Sequence, residues 1–442
     1  MKRLTRVAIL ALLAGMTGCP LTASYTVGGY LTGLHGIGLV LEVNGGNDMT
    51  MVANGAFVFP RAVGQGSPYS VTVRTQPSNP AQTCTVRNAS GTINKQSVGN
   101  VLVNCTQAAS LAFVVSETSN TIALYAIDPA AGTLVLLPGA PYFGTGTTPI
   151  AATVEPNGNF LYVANNTSND VSVYLIDYLT GTLTSAGTPI PAGIAPTSVA
   201  VDPTGRFLYV ANIGDNTISA FALDPTSGLG TPVAGSPYLV GNEPSAVQVD
   251  PSGNFLYVSN LFDGDVVVLY IDPLSGALVN VPGSPFGTGK GPVSIAADPT
   301  GSFVYVANSA SNDISEFSLN LSSGTLTPVS GSPLSSGSSP QTIAVDPTGR
   351  FLYAANTTKA NSVGVFYITP TTGAINPEST AAAGTLPVSL AIDASGKFVY
   401  VANGNSNDVS VYSVDAASGA LTPVKNSPFS AFGIGPRAIA VY

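Results

Sequence analysis

Ala200-Val-Asp-Pro-Thr-Gly-Arg-Phe-Leu-Tyr-Val-Ala-Asn212 holds a tight turn between two apolar stretches, and close copies of it return down most of the chain. Before the turn, Val199 and Val201 alternate with the small Ser198 and Ala200, which is the pattern of a strand whose second face fits a crowded place. Asp202-Pro-Thr-Gly205 supplies what a type I turn uses: an Asx acceptor, a proline with preset φ and a closing glycine. Phe207 to Ala211 reads as a second strand and Asn216 to Asp224 carries a third. A further turn, Asp224-Pro-Thr-Ser-Gly228, leads to a short fourth.

The equivalents of Asn212 are Ser116, Asn165, Asn260, Asn308, Asn356 and Asn403, spaced 47 to 49 residues apart. Seven copies of a four-stranded unit at that period predict an all-β chain with a seven-bladed β-propeller. WD40 repeats are excluded, because their signature tryptophan is missing from a chain with 0 Trp. The array starts in mid-unit, at the second strand Leu111 to Ser116, and finishes with a lone first strand, Pro436-Arg-Ala-Ile-Ala-Val-Tyr442. That offset lets the C-terminal strand complete the N-terminal blade, so the ring closes without an exposed edge.

Composition agrees with many short strands joined by tight turns: 48 Gly, 34 Pro and only 8% charged residues in 442. The formal charge of −9 excludes nucleic acid as a partner, since phosphate binding needs clustered Lys and Arg. Residues 1–18 read as an export leader, with Lys2, Arg3 and Arg6 before the apolar run Val7 to Gly15. Met16-Thr-Gly-Cys19 resembles a bacterial lipobox, with Met16 in place of the usual Leu. Cys19 is therefore the expected lipidation site, and the alternative is an ordinary secretory signal. Residues 19–23 would be the tether, and the protein an exported bacterial lipoprotein of the outer membrane, facing the periplasm or the cell surface. Cleavage removes three basic residues and no acid, taking the charge from −9 to −12.

Alternating apolar segments between residues 24 and 106 predict a small β-sandwich that resembles immunoglobulin-like or transthyretin-like modules. Cys84 and Cys105, an even pair on an exported chain, are the expected disulfide. Residues 107–110 form the linker and 111–442 the propeller. The only histidine, His35, sits in a Gly-rich turn and reads as a loop residue.

Phe-Leu-Tyr-Val-Ala-Asn at 160–165 and 207–212, with Phe-Val-Tyr-Val-Ala-Asn at 303–308 and 398–403, resembles YVTN-type propeller repeats. Ala-Val-Asp-Pro-Thr-Gly-Arg-Phe-Leu-Tyr at 200–209 and 344–353 is similar to the seven-bladed lactonase family that includes 6-phosphogluconolactonase-like proteins. The resemblance implies the fold and, as one reading of function, hydrolysis of a sugar or related lactone.

Asp202, Asp250, Asp298, Asp346, Asp393 and Glu155 lie in first turns and read as turn acceptors. Arg206, Arg350 and Lys397 follow those turns and are expected to neutralise an acidic rim. The opposite face carries Asn165, Asp170, Asn212, Asp215, Asn260, Asp263, Asn308, Asp313, Asn403 and Asp408, whose amides and carboxylates could hold sugar hydroxyls, a peptide or a hard cation such as Ca²⁺. Asx turns closing each loop would produce the same pattern. No cofactor is required, and no EF-hand-like spacing supports the cation. Arg437 stands apart: at its place other blades offer Ile150, Thr197, Ser245, Val293, Gln341 and Val388. It should lie near the channel mouth, binding an anion or pairing with Glu117 or Asp408. An aromatic recurs in the inter-blade stretches at Tyr142, Tyr238, Phe286 and Phe429, for stacking sugars or for packing.

With no histidine in the ring to act as a base, the leading expectation is a non-catalytic, envelope-anchored binding or scaffold protein. Its partners would be a glycan, a peptide or an envelope protein, with the membrane reached through the lipid. A lactonase is the alternative, its water activated by Asp, Glu or a metal.

Overall fold

The computed structural model describes residues 23–34, 37–77, 82–107, 110–137, 139, 142–143, 145–178, 181–357 and 361–442. The leader, Cys19 and His35 lie outside them, so the lipidation and His35 expectations meet no structure. The described residues form strands and turns with no helix, and the chain divides into two compact units, Met1–Ala108 and Ala109–Tyr442.

The first unit contains two four-stranded sheets. One runs Gly55–Val58, Val27–Thr32, Val98–Gln107, Gln82–Arg87, and the other Gly46–Thr50, Val40–Val43, Pro68–Thr75, Ser90–Thr92. Leu31, Leu41, Phe57, Phe59, Val71, Val101 and Val103 bury one common core. Cys84 and Cys105 are paired residues on neighbouring antiparallel strands and are bonded to each other, as the sequence predicts.

The second unit is a ring of seven sheets, one for each copy of the repeat. In blade 3 the order is Pro196–Val201, Phe207–Asn212, Thr217–Leu223, Gly230–Pro232, and Tyr238–Leu239 returns to pair with the start of the third strand. The fourth strand is thus split in two, and the recurrent Ser-Pro lies in the gap, where the Ser236 hydroxyl accepts the Ala220 N–H at 2.9 Å. Tyr238, Phe286 and Phe429 pack against blade cores, which is the packing reading of the recurrent aromatic; the Tyr142 side chain lies outside the described residues. Blade 6 differs, with one continuous fourth strand, Ile375–Ala382.

Two devices join consecutive blades. Inner strands are bridged by hydroxyls: Thr197 Oγ1 donates to Pro244 O at 2.9 Å, and Ser198 Oγ accepts Val247 N–H at 3.1 Å. Farther out, Tyr209 donates to Gly276 O of the next blade at 3.1 Å, while Gly276 lies over the Phe207 ring. Its φ of 74° and a would-be Cβ only 2.3 Å from that ring leave no other residue type at this turn. Tyr162, Tyr305 and Tyr353 repeat the bond to Gly228, Gly373 and Gly419. Burial pushes these phenols above the ordinary tyrosine value, so they stay protonated and donate.

The ring closes as expected. Pro436–Val441 is the inner strand of blade 1, antiparallel to Leu111–Ser116 in the register Val114↔Ile439. Gly132 of the same blade lies over Phe398 of blade 7, the contact that also joins each consecutive pair from blade 2 to blade 7, while between blades 1 and 2 Gly181 meets Leu137 instead.

One inter-blade core departs from the repeat. Glu316, 2% exposed, occupies a place held by Ala220, Val268, Val365 and Val411 elsewhere, and its carboxylate accepts the Ile375 N–H of blade 6 at 3.1 Å. Desolvation raises its pKa above the ordinary carboxyl value, with the Ile375 bond opposing. The native state therefore holds this proton more tightly than the unfolded chain does. The associated stability is fully present below the unfolded pKa and is lost as pH rises through the folded one. Glu316→Gln should leave the denaturation midpoint unchanged near pH 4 and gain ~1–3 kcal/mol at neutral pH. Equal midpoints for the two proteins at neutral pH would count against the assignment.

Candidate functional site

The polar residues that recur in the repeat make mostly bonds within the fold. Asp202 is 3% exposed; its Oδ1 accepts the N–H groups of Arg206 and Phe207, each at 2.7 Å, and its Oδ2 takes Thr204 N–H at 3.1 Å. Asp250, Asp298, Asp346 and Asp393 make the same turn, and Glu155 accepts Asn159 N–H at 3.0 Å. The arginines beyond these turns do more than balance charge. Arg206 lies 5.2 Å from the centroid of the Phe207 ring and donates to Pro273 O of the next blade at 2.7 Å, and Arg350 does the same over Phe351 toward Ala416 O at 2.9 Å. Both stay exposed at the rim, and in addition they clamp neighbouring blades.

On the opposite face, Asn165, Asn212, Asn260, Asn308 and Asn403 are each 0% exposed. Their side chains lie beneath the face on which the sequence places them as ligand contacts. Ending the second strand, each side chain turns inward between strands: Asn165 Nδ2 donates to Asp170 at 2.6 Å and Ser172 at 2.9 Å, and Asn212 Nδ2 to Thr217 and Ser219. Asp313 and Asp408 accept from Asn308 and Asn403 in the same way. Asp215 and Asp263 instead accept backbone N–H groups of the inter-blade connectors, Ile194 at 3.0 Å and Asn242 at 2.6 Å. Those Asn242 bonds hold the Asp263 carboxyl below the ordinary value. Asx chemistry thus closes the loops. Among the described residues no three His, Cys, Asp or Glu side chains are grouped to hold a metal ion.

What remains is where the copies disagree. The position after the strand-ending Asn is neutral in Asn166, Ile213, Leu261, Ser309, Thr357 and Gly404, and acidic only in Glu117. The position after the inner-strand proline is cationic only in Arg437. The fold brings these two exceptions together: Arg437 Nε lies 3.8 Å from Glu117 Oε2, with side chains 44% and 40% exposed. They line a cavity of about 330 Å³ between blades 7 and 1, with Thr118, Leu386, Val388, Asn405 and Ile434 among its walls. At 3.8 Å the two groups attract without forming a short hydrogen bond, so both remain able to address a guest. Pairing of Arg437 with Glu117 was one of the two readings of the sequence. The pocket walls were missed, although comparing repeats position by position singles out Glu117 as readily as Arg437.

A ring of seven four-stranded sheets closed by the last strand defines a seven-bladed β-propeller. The model of the family described as "Lactonase, 7-bladed beta-propeller" matches residues 103–241, 231–339 and 331–431, and the chain belongs to that family. Solved structures agree on the fold. A protein of Bacteroides uniformis assigned as a 6-phosphogluconolactonase is 21% identical with a TM-score of 0.68, the match covering 76% of this chain and 100% of that one. The periplasmic gluconolactonase of Pseudomonas aeruginosa is 20% identical with a TM-score of 0.65, over 75% and 98% of the two chains. A protein of Lactobacillus plantarum is 20% identical with a TM-score of 0.65, over 76% and 99%. No curated protein matches the chain.

Proposed function

We propose that the propeller is a lactonase whose reaction takes place at the Glu117–Arg437 pocket. The observation that carries this reading is the meeting in one cavity of an acid and a cation that each stand alone at their repeat position, in a chain of the lactonase family. Family membership supports this alternative better than the binding or scaffold role. Glu117 takes a proton from water as the oxygen attacks the lactone carbonyl carbon. Arg437 faces the carbonyl oxygen as negative charge grows there. The ring C–O bond then breaks and its oxygen leaves as a hydroxyl, receiving the proton from Glu117, so the product is a hydroxy acid. Proton release from a panel of sugar and acyl lactones, followed at constant pH, tests this. Rates equal to the spontaneous ones across the panel would sink it.

We also place the protein outside the cytoplasm. The basic, then apolar leader supports this, as does likeness to a periplasmic relative; among the described residues no helix is long and apolar enough to cross a membrane. A lipid on Cys19 should make the wild-type protein sediment with membranes and leave Cys19→Ser soluble. Equal partitioning of the two would remove the anchor.

A further inference from the structure

We infer that the pocket takes an uncharged lactone and disfavours a phosphorylated one. This rests on the lactonase reading and narrows its substrate class. Binding a phosphate dianion calls for several donors at once, from guanidinium groups, ammonium groups or a nest of free backbone N–H groups. Among the described residues that line the pocket Arg437 is the only cation, and Glu117 stands 3.8 Å from it, so the pair offers no net positive charge. A dianion drawn to Arg437 would also meet that carboxylate.

The backbone has little to add. Glu117 N–H goes to Gly435 O at 2.8 Å, Thr118 N–H to Ile434 O at 3.1 Å, and Gly404 N–H to Leu386 O at 2.7 Å. Ile434 N–H goes to Ser119 Oγ at 3.1 Å, and Gly435 N–H to Asn407 Oδ1 at 2.7 Å. These amides already have acceptors and form no anion nest.

The walls are apolar where a phosphosugar would need donors. Leu386, Val388 and Ile434 line the cavity, and Ile434 is 60% exposed. Leu386 sits at φ 60°, the left-handed conformation that this connector position takes in every blade, at Thr148, Ala195, Glu243, Gly291, Ser339 and Gly435 elsewhere. A bulky residue there is held against its backbone preference, in this case by the bond from its N–H to Asn361 Oδ1 at 3.0 Å. The result is a hydrocarbon wall beside the ion pair. Around it the chain carries a charge of −9, a field that repels anions. Thr118, Asn405 and the Arg437 guanidinium remain as polar contacts, a set matched to the hydroxyls and carbonyl of a neutral ring.

Steady-state kinetics of the full-length protein with glucono-δ-lactone and 6-phosphoglucono-δ-lactone tests the inference. The expected result is a kcat/KM higher by about tenfold or more for the uncharged lactone, a difference of about 1.4 kcal/mol. Raising ionic strength should improve kcat/KM for the phosphorylated lactone by screening and leave the uncharged one flat. Ile434→Lys, at an exposed wall position, should shift the ratio toward the phosphorylated substrate. Equal or better use of the phosphorylated lactone by the wild-type protein overturns the inference and leaves the lactonase reading standing. Turnover of neither, with spontaneous rates across the rest of the lactone panel, overturns both.

Discussion

Glu117→Gln is expected to lower kcat for lactone hydrolysis by about 10²–10⁴-fold, the usual loss when a positioned general base is removed. The replacement keeps shape and volume, and the side chain is 40% exposed, so the melting temperature should not move. An effect on kcat with KM nearly unchanged would mark a group acting in the transition state. Arg437→Ala should cost about 10²–10³-fold if it faces the developing oxyanion. The double variant should lose much less than the product of the two, because both act in one step. A Glu117→Gln protein with full activity would move the chemistry elsewhere, to a site not containing the ion pair.

The second large effect is on the fold. Deleting Pro436 to Tyr442 should abolish the cooperative melting of the propeller. The deleted segment is the whole inner strand of blade 1, and its loss bares Leu111 to Val115, each 0% exposed in the intact ring. It removes the reciprocal bonds between Leu111 and Tyr442, at 2.9 and 3.0 Å, together with the ladder to Leu111–Ser116 and the bond from Ile439 N to Ser389. Ala438 and Ile439 leave two different inter-blade cores. At ~1 kcal/mol per hydrogen bond and ~2–5 kcal/mol for a buried isoleucine, the loss reaches the ~5–15 kcal/mol that holds an ordinary domain together. Circular dichroism and limited proteolysis would report it. A truncated protein with an unshifted transition would show that closure by this strand is dispensable.

Much of the architecture is local and therefore readable from residues. Asp202-Pro-Thr-Gly205 makes its turn from its own four residues and the two that follow, so the sequence identifies it without help. The spacing of Asn212 and its equivalents sets blade number because each unit is built alike. The Ser-Pro segments were harder. They lie between strands in sequence, yet Tyr238–Leu239 bonds back to the third strand of its own blade, a pairing that composition does not specify. Arg206 is the surface cation its place in the repeat suggests, but its acceptor, Pro273 O, belongs to the next repeat, so the clamp is not legible in sequence.

The site divides along the same line. Repetition drew attention to Asn165, Asn212, Asn260, Asn308 and Asn403, and burial assigns them to loop closure. Sequence by itself determined that the chain is all-β, that its repeats make seven blades, that the last strand completes the first blade, and that Arg437 is an exception to the repeat. Those properties follow from short-range turn chemistry, strand alternation and a period. Tertiary structure alone decided that Glu117 and Arg437 face each other across an apolar-walled cavity. They come from the two ends of the ring, and only closure, a contact between the first and last strands of the propeller, sets the space between them.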